Sequence, residues 1–184
     1  MLYIKNNNYI IHDMSCLSVD IGIKNLAFCI CDSGHKIVDW KVVEIQNTNV
    51  RVMIESIHQL FEQYDFQCII LEKQPSRNIK MRMVENTLAV YFIMSGVSKV
   101  IQYSPKHKLG DIGKTTRGRA NYTLRKKMGI SMCGKYIEEH ETEWIEYFNK
   151  HKKKDDLADC LLQYIAYHQI VNLNDLTSGI VKIN

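Results

Sequence analysis

Asp20 sits in the run Leu17-Ser18-Val19-Asp20-Ile21-Gly22-Ile23, a carboxylate with apolar neighbours on both sides. Burying a lone charge is costly, so such an Asp calls for a partner charge or a metal ion. Glu72 closes a second apolar run, residues 66–71. Asp155, Asp156 and Asp159 open the most amphipathic segment of the chain, residues 155–171. Carboxylates three or four residues apart share one face of a helix. Such an oxygen-only set suits hard cations, Mg²⁺ or Mn²⁺. Two such ions ~4 Å apart suit in-line hydrolysis of a phosphodiester. Each acid also has a plainer reading. Asp155 and Asp156 favour a helix dipole from its N-terminus without any metal, and Glu72 could be a surface residue at a strand end. Asp20 is the least comfortable as mere structure, because its neighbours demand burial.

The elements that must position these acids follow from hydrophobic period. Residues 16–20, 26–31 and 37–45 are short apolar runs with brief connections, which predicts an antiparallel meander. Gly22 marks a bulge or a close backbone approach, and in the metal reading it leaves room for a phosphate. Residues 50–64 are apolar at 50, 53, 54, 57, 60, 61 and 64, which is helical spacing. Asn47, Thr48 and Asn49 are candidate caps. The run 66–71 reads as a buried parallel strand. A second helix over 80–95 ends at Gly96, and residues 99–103 form a last strand. Residues 122–140 can be helical despite Gly129 and Gly134. An aromatic segment around Trp144 precedes the final helix, and a short polar tail follows residue 172. The expected fold is α/β: a mixed sheet of five strands, a three-strand meander plus two parallel strands, with helices on both faces.

The chain has 184 residues and 46% apolar content, enough for one real core. Residues 1–13 read as an N-terminal extension and residues 14–184 as the folded domain. No run approaches the ~18 apolar residues of a membrane span, and the N-terminus lacks the pattern of a signal peptide, so an intracellular protein without membrane contact is expected. The six cysteines, at 16, 29, 31, 68, 133 and 160, make no C-x-x-C pair and are expected as core thiols. Net charge is +4, but residues 106–127 hold eight Lys/Arg against one acid, Asp111, and the rest of the chain is mildly acidic. A concentrated basic stretch suggests a polyanion partner, although a solvated loop would look the same.

Three motifs in order carry a resemblance. They are Val19-Asp20-Ile21-Gly22-Ile23-Lys24-Asn25, Leu71-Glu72-Lys73-Gln74-Pro75-Ser76-Arg77 and Lys154-Asp155-Asp156-Leu157-Ala158-Asp159. Together they resemble the poxvirus Holliday junction resolvases, relatives of bacterial RuvC in the RNase H-like superfamily, from about residue 17 to residue 167. The resemblance implies an RNase H-like fold and an Mg²⁺-dependent homodimer, with Mn²⁺ as a substitute and two ions per active site. Such an enzyme nicks two strands of a four-way or branched DNA symmetrically and resolves viral concatemers, in the cytoplasm of an infected cell. It implies Asp20, Glu72, Asp156 and Asp159 as catalytic metal ligands, with Asp156 preferred over Asp155 as the first acid of D-x-x-D. It also implies a catalytic lysine ahead of the last helix. Within Arg125-Lys126-Lys127 this is matched to Lys126, with Lys114 as its competitor. Lys73, Arg77, Lys114, Arg117, Arg119, Arg125 and Lys127 are expected to contact DNA. Bacterial RuvC carries an aromatic wedge soon after its second acid, whereas residues 73–78 here hold none. The helix after Glu72, with Met81, Met83, Val84, Tyr91, Phe92 and Met94, has more apolar residues than one buried stripe needs and is the expected dimer face. The alternatives are an RNase H-type or general branched-DNA nuclease, and a catalytically inactive nucleic-acid-binding module.

Overall fold

In the computed structural model, residues 15–45, 49–105 and 122–180 are described, with side chains to Gln169. The extension 1–13, the candidate caps Asn47 and Thr48, and the basic residues Lys114, Arg117 and Arg119 lie outside the described residues.

Strands β1 (Ser15–Asp20), β2 (Leu26–Cys31) and β3 (Ile37–Val43) form the antiparallel meander. Helix α1 (Val50–Phe61) then leads to β4 (Phe66–Glu72), helix α2 (Ile79–Met94) and β5 (Lys99–Tyr103). The strand order is β3-β2-β1-β4-β5, with β4 parallel to both β1 and β5. Helix α3 (Tyr122–His140), a 3-10 turn (Thr142–Trp144), the short helix α4 (Ile145–Lys150) and helix α5 (Lys154–Ile180) complete the chain. The five-strand mixed sheet with helices on both faces matches the expectation. Helix α5 departs from it: the helix continues to Ile180, where a polar tail was expected.

Strand β1 is central and covered on both faces, so every residue in it but Asp20 is buried, Ser15 and Ser18 included. Leu17 and Val19 face α1 and α2, together with Phe28, Ile69, Leu71, Met53, Ile57, Phe61, Val84, Leu88 and Phe92. Cys16 faces the other way, with Ala27, Cys29, Trp40, Cys68 and Ile70, against α3, α4 and α5. Trp40 stacks on Phe148 at 5.4 Å and donates from Nε1 to the Leu157 carbonyl at 3.1 Å. Each fully buried Leu, Ile or Phe contributes roughly 1.5–3 kcal/mol of transfer free energy, so both layers are substantial. All six cysteines are buried thiols on the α5 face. Cys29 and Cys31 do share one side of β2, their sulfurs 3.7 Å apart.

Local signals mark the helix ends. Asn49 caps α1 by accepting from the Arg51 N–H at 3.0 Å, and Asn78 caps α2 by accepting from the Met81 N–H at 3.4 Å. Gly96, at φ +87°, ends the segment after α2 in a conformation that favours glycine. Gly22 marks the close backbone approach expected of it. A Cβ there would lie 2.3 Å from the Asn25 carbonyl oxygen. The glycine is needed by the tight β1–β2 connection itself.

Candidate active site

The pairing register sets the site. Val19 pairs with Leu71 across the parallel β1/β4 ladder, so Asp20 and Glu72 end adjacent strands side by side. Residues two apart point to the same face of a strand. Asp20 therefore shares its face with Cys16 and Ser18, and Glu72 shares its face with Cys68 and Ile70. That is the face covered by α5. The C-terminal ends of parallel strands are where open α/β sheets bind ligands.

Helix α5 is fixed over this face by polar contacts that sequence reasoning missed. The Ser18 hydroxyl donates to the Cys160 carbonyl at 2.8 Å. Gln163, fully buried, donates from Nε2 to Ser18 Oγ at 3.2 Å and to the carbonyls of Val19 and Ile70 at 3.1 Å each. One amide thus grips both central strands just before they end in Asp20 and Glu72. Asp156 and Asp159 lie seven and four residues before Gln163, about two turns and one turn nearer the helix N-terminus. They stand on the same side of α5, towards the strand ends.

The electrostatics distinguish the neighbouring acids. Burial, followed by the negative charge of Asp155, pushes the Asp156 carboxyl above its ordinary value. Its Oδ2 is buried without a hydrogen-bond partner among the described residues, with the Lys153 ammonium 4.0 Å away. Burial also pushes Asp155 upward, but the hydrogen bond and charge of Lys126 more than offset this and hold it low. The same bond to Asp155 raises Lys126. Asp155 thus joins α3 to the first turn of α5, and the sequence's candidate lysine stands one residue from Asp156 along that turn. The Asp159 charge is close enough to Cys133 to add to the burial that keeps this thiol protonated.

The basic candidates fall around the same end where they are described. Lys73 and Arg77 are exposed on the connection leaving β4; Lys127 is exposed and Arg125 half-buried on the first turns of α3. Two further residues, Gln74 in the connection after β4 and Glu85 on helix α2, were not foreseen. Gln74 donates from Nε2 to Glu72 Oε2 at 2.9 Å, and its own N–H is taken by Glu85 at 3.1 Å. A signal for Glu85 existed, because it falls on the apolar stripe of α2 between Met81 and Leu88.

The donor set fits a hard cation. It is oxygen-only, and it includes a buried carboxylate oxygen on Asp156 that no protein donor satisfies. The four acids share one end and one face rather than a closed cage. Among the described residues, no group of three or more His, Cys, Asp or Glu side chains is gathered tightly enough to hold a metal ion. Among the same residues, no helix is long and apolar enough to cross a membrane.

The face expected for dimerisation needs correction in its membership. Val84 and Phe92 belong to the core beneath α2. The exposed apolar residues of the helix are Ile79 (79%), Val90, Ile93 and Met94 (81%), joined by Val50 and Ile54 of α1. Between α1 and α2 runs a groove of about 490 Å³ lined by Val50, Ile54, Ile79, Met83 and Val90 among others.

Known proteins share this fold. The crystal structure of the fowlpox virus Holliday junction resolvase matches with a TM-score of 0.64 at 26% identity, over 86% of this chain and 99% of that one. T. thermophilus RuvC in complex with a Holliday junction substrate, at 13% identity and a TM-score of 0.52, over 85% of this chain and 96% of that one, shares the fold. In sequence, the Holliday junction resolvase of fowlpox virus (strain NVSL) is 28% identical over 84% of this chain and 92% of its own length. An uncharacterized Acanthamoeba polyphaga mimivirus protein, L451, is also 28% identical, over 73% of this chain, which spans only 37% of that protein. Residues 14–172 match the family described as Poxvirus A22 protein. With the mixed sheet, the paired strand-end acids and the D-x-x-D helix in place, the chain belongs to the Poxvirus A22 protein family.

Proposed function

We propose that this protein is a divalent-metal-dependent endonuclease that resolves four-way and branched DNA junctions by paired, symmetric phosphodiester hydrolysis. The observation that carries the reading is the shared end and face of Asp20, Glu72, Asp156 and Asp159. Neighbouring parallel strands present two of these acids, and the helix pinned across them presents the other two. These four residues would hold Mg²⁺ or Mn²⁺, two ions per site. The ions would supply an activated water and charge stabilisation for the displaced oxygen. The chain's own part is to fix the carboxylates, to keep their charge uncompensated by protein donors at Asp156, and to bring phosphates to them. Lys126 stands beside Asp156 on the bond to Asp155 and is the residue placed to stabilise charge building on the scissile phosphate. Lys73, Arg77, Arg125 and Lys127 flank that end and suit phosphate contacts, which position DNA without reading its sequence. Lys114, Arg117 and Arg119 are assigned to the same surface by their place in the basic stretch.

A four-way junction needs two matched cuts, so two sites on a two-fold axis suit it. A second copy of the chain is assigned to the exposed apolar face of α1 and α2, with Ile79, Val90, Ile93 and Met94 at its centre. The name of the fowlpox relative supports a Holliday junction as substrate, and the resemblance of the three motifs carries the extension to viral concatemers and to the host-cell cytoplasm. Cleavage of a synthetic four-way junction in Mg²⁺, against a linear duplex of matched sequence, tests the reading. Paired nicks in the junction alone are expected. Equal cutting of both substrates, or equal cutting of an RNA–DNA hybrid, would replace it with a general nuclease. Junction binding without cutting in Mg²⁺ or Mn²⁺ would replace it with a binding module.

A further inference from the structure

We propose that Gln74 and Glu85 form a positioning relay that sets the orientation of the Glu72 carboxylate from helix α2, an inference that rests on Glu72 being a metal ligand. Glu85 is 2% exposed and lies on the apolar stripe of its helix. A carboxylate in such a place is costly unless hydrogen bonds compensate it. Its Oε2 accepts the Gln74 backbone N–H at 3.1 Å. The preceding residue is fixed as well, with the Lys73 N–H donating to the Tyr103 carbonyl at 2.8 Å. Two consecutive backbone donors therefore anchor the chain where it leaves β4. From this anchored backbone the Gln74 side chain turns back. Its Nε2 donates to Glu72 Oε2 at 2.9 Å and to the Glu72 carbonyl at 3.3 Å. A primary amide has two N–H hydrogens, so it can serve both acceptors at once.

The chemistry of the donor matters. A Lys or Arg in this place would neutralise Glu72 and compete with a cation for it. The Gln74 amide fixes the carboxylate's rotamer and leaves its charge for a metal, which is how outer hydrogen-bond partners orient metal-ligating carboxylates. Glu85 completes the arrangement by fixing the amide's own backbone. It does so from a helix whose opposite side carries the exposed apolar groove.

The experiment compares Gln74→Ala, Glu85→Ala, Glu85→Gln, the Gln74→Ala/Glu85→Ala double variant and Glu72→Gln. Mn²⁺ binding to the DNA-free protein is measured by calorimetry, alongside the Mg²⁺ concentration for half-maximal junction cleavage and the Tm. Gln74→Ala and Glu85→Ala are each expected to weaken Mn²⁺ binding about 10- to 100-fold and to raise the Mg²⁺ requirement in step. The double variant should be no worse than the poorer single one, because residues acting in series do not add. Glu85→Gln keeps an acceptor for the Gln74 N–H and should stay near wild type, which also decides the matter if Glu85→Ala fails to fold. A lowered Tm with unchanged metal dependence in Gln74→Ala would make the contact merely structural and overturn the relay, as would multiplicative losses in the double variant. If Glu72→Gln binds Mn²⁺ and cuts like wild type, the assignment of Glu72 itself falls. If Glu72→Gln is inactive while Gln74→Ala is normal in every readout, only the relay falls.

Discussion

The two faces of the sheet are built from different residues. Against α1 and α2 the strands present Leu17, Val19, Phe28, Ile69 and Leu71. Against α5 strands β1 and β2 present the small Cys16, Ser18, Ala27, Cys29 and Cys31, with the larger Trp40, Ile70 and Tyr103 of the same face on the flanking strands. Large branched and aromatic side chains make the first face an apolar core with few polar atoms. Small side chains on the second let the α5 backbone come near enough for Ser18 to bond the Cys160 carbonyl and for Gln163 to reach two strand carbonyls. Close approach of a helix to strand ends is what a carboxylate site needs, since Asp and Glu side chains are short. The apolar face supplies stability, and the small-residue face supplies geometry.

The largest effect should come from the acids themselves. Asp20→Asn removes the charge of a proposed metal ligand and should slow junction nicking by about 10³-fold or more, a loss of several kcal/mol of transition-state stabilisation, with junction binding intact. Electrophoretic binding and nicking measured on the same protein check this, and lost binding by a folded variant would make Asp20 a docking residue instead.

The contrast between the faces is broken most directly by overpacking the small one. Cys29→Leu should cost about 1–3 kcal/mol and also reduce cleavage, because α5 is pushed away from β1. Ile69→Val on the opposite face should cost about 0.5–1.5 kcal/mol and leave the cleavage rate unchanged. Urea unfolding and single-turnover nicking together decide it. Equal kinetic effects from both substitutions would erase the distinction.

Outside the apolar layer, Val90→Glu should leave the stability of the single chain within about 0.5 kcal/mol of wild type, as surface changes usually do, while converting the proposed two-copy assembly to single chains in sedimentation. An unchanged assembly state would remove α2 from the interface.

The smallest effect concerns the far part of α5. Burial, with His35 and Lys99 nearby, lowers the His168 imidazole to about 4. Its unfolded counterpart protonates near 6.5. The unfolded chain therefore binds the extra proton first, and stability should fall as pH drops from about 6.5 towards 4. His168→Gln should flatten that slope in a pH series of melting curves, and an equally steep slope would assign it to other groups.

The local rules were legible in the sequence because they are local. The lone Asp20 in an apolar run, the continuous run before Glu72 and the D-x-x-D spacing each follow from the cost of burying charge and from helix period. So did the strand and helix order, and the Asn49 cap. Tertiary structure decided what depends on residues far apart in the chain. Gln163 grips Val19 and Ile70, residues 144 and 93 positions away. Asp155 is satisfied by Lys126, which leaves Asp156 as the strained acid of the pair. Glu85 reaches the Gln74 backbone across a turn of loop and helix. Gly22 answers to the carbonyl of Asn25, three residues on, which only the folded connection brings against it. Periodicity reports which face of an element is apolar, but not which partner a buried polar atom meets once that face is covered. That choice is made by packing, and it separates Asp155, bonded to Lys126, from Asp156, whose buried Oδ2 meets no hydrogen-bond donor among the described residues.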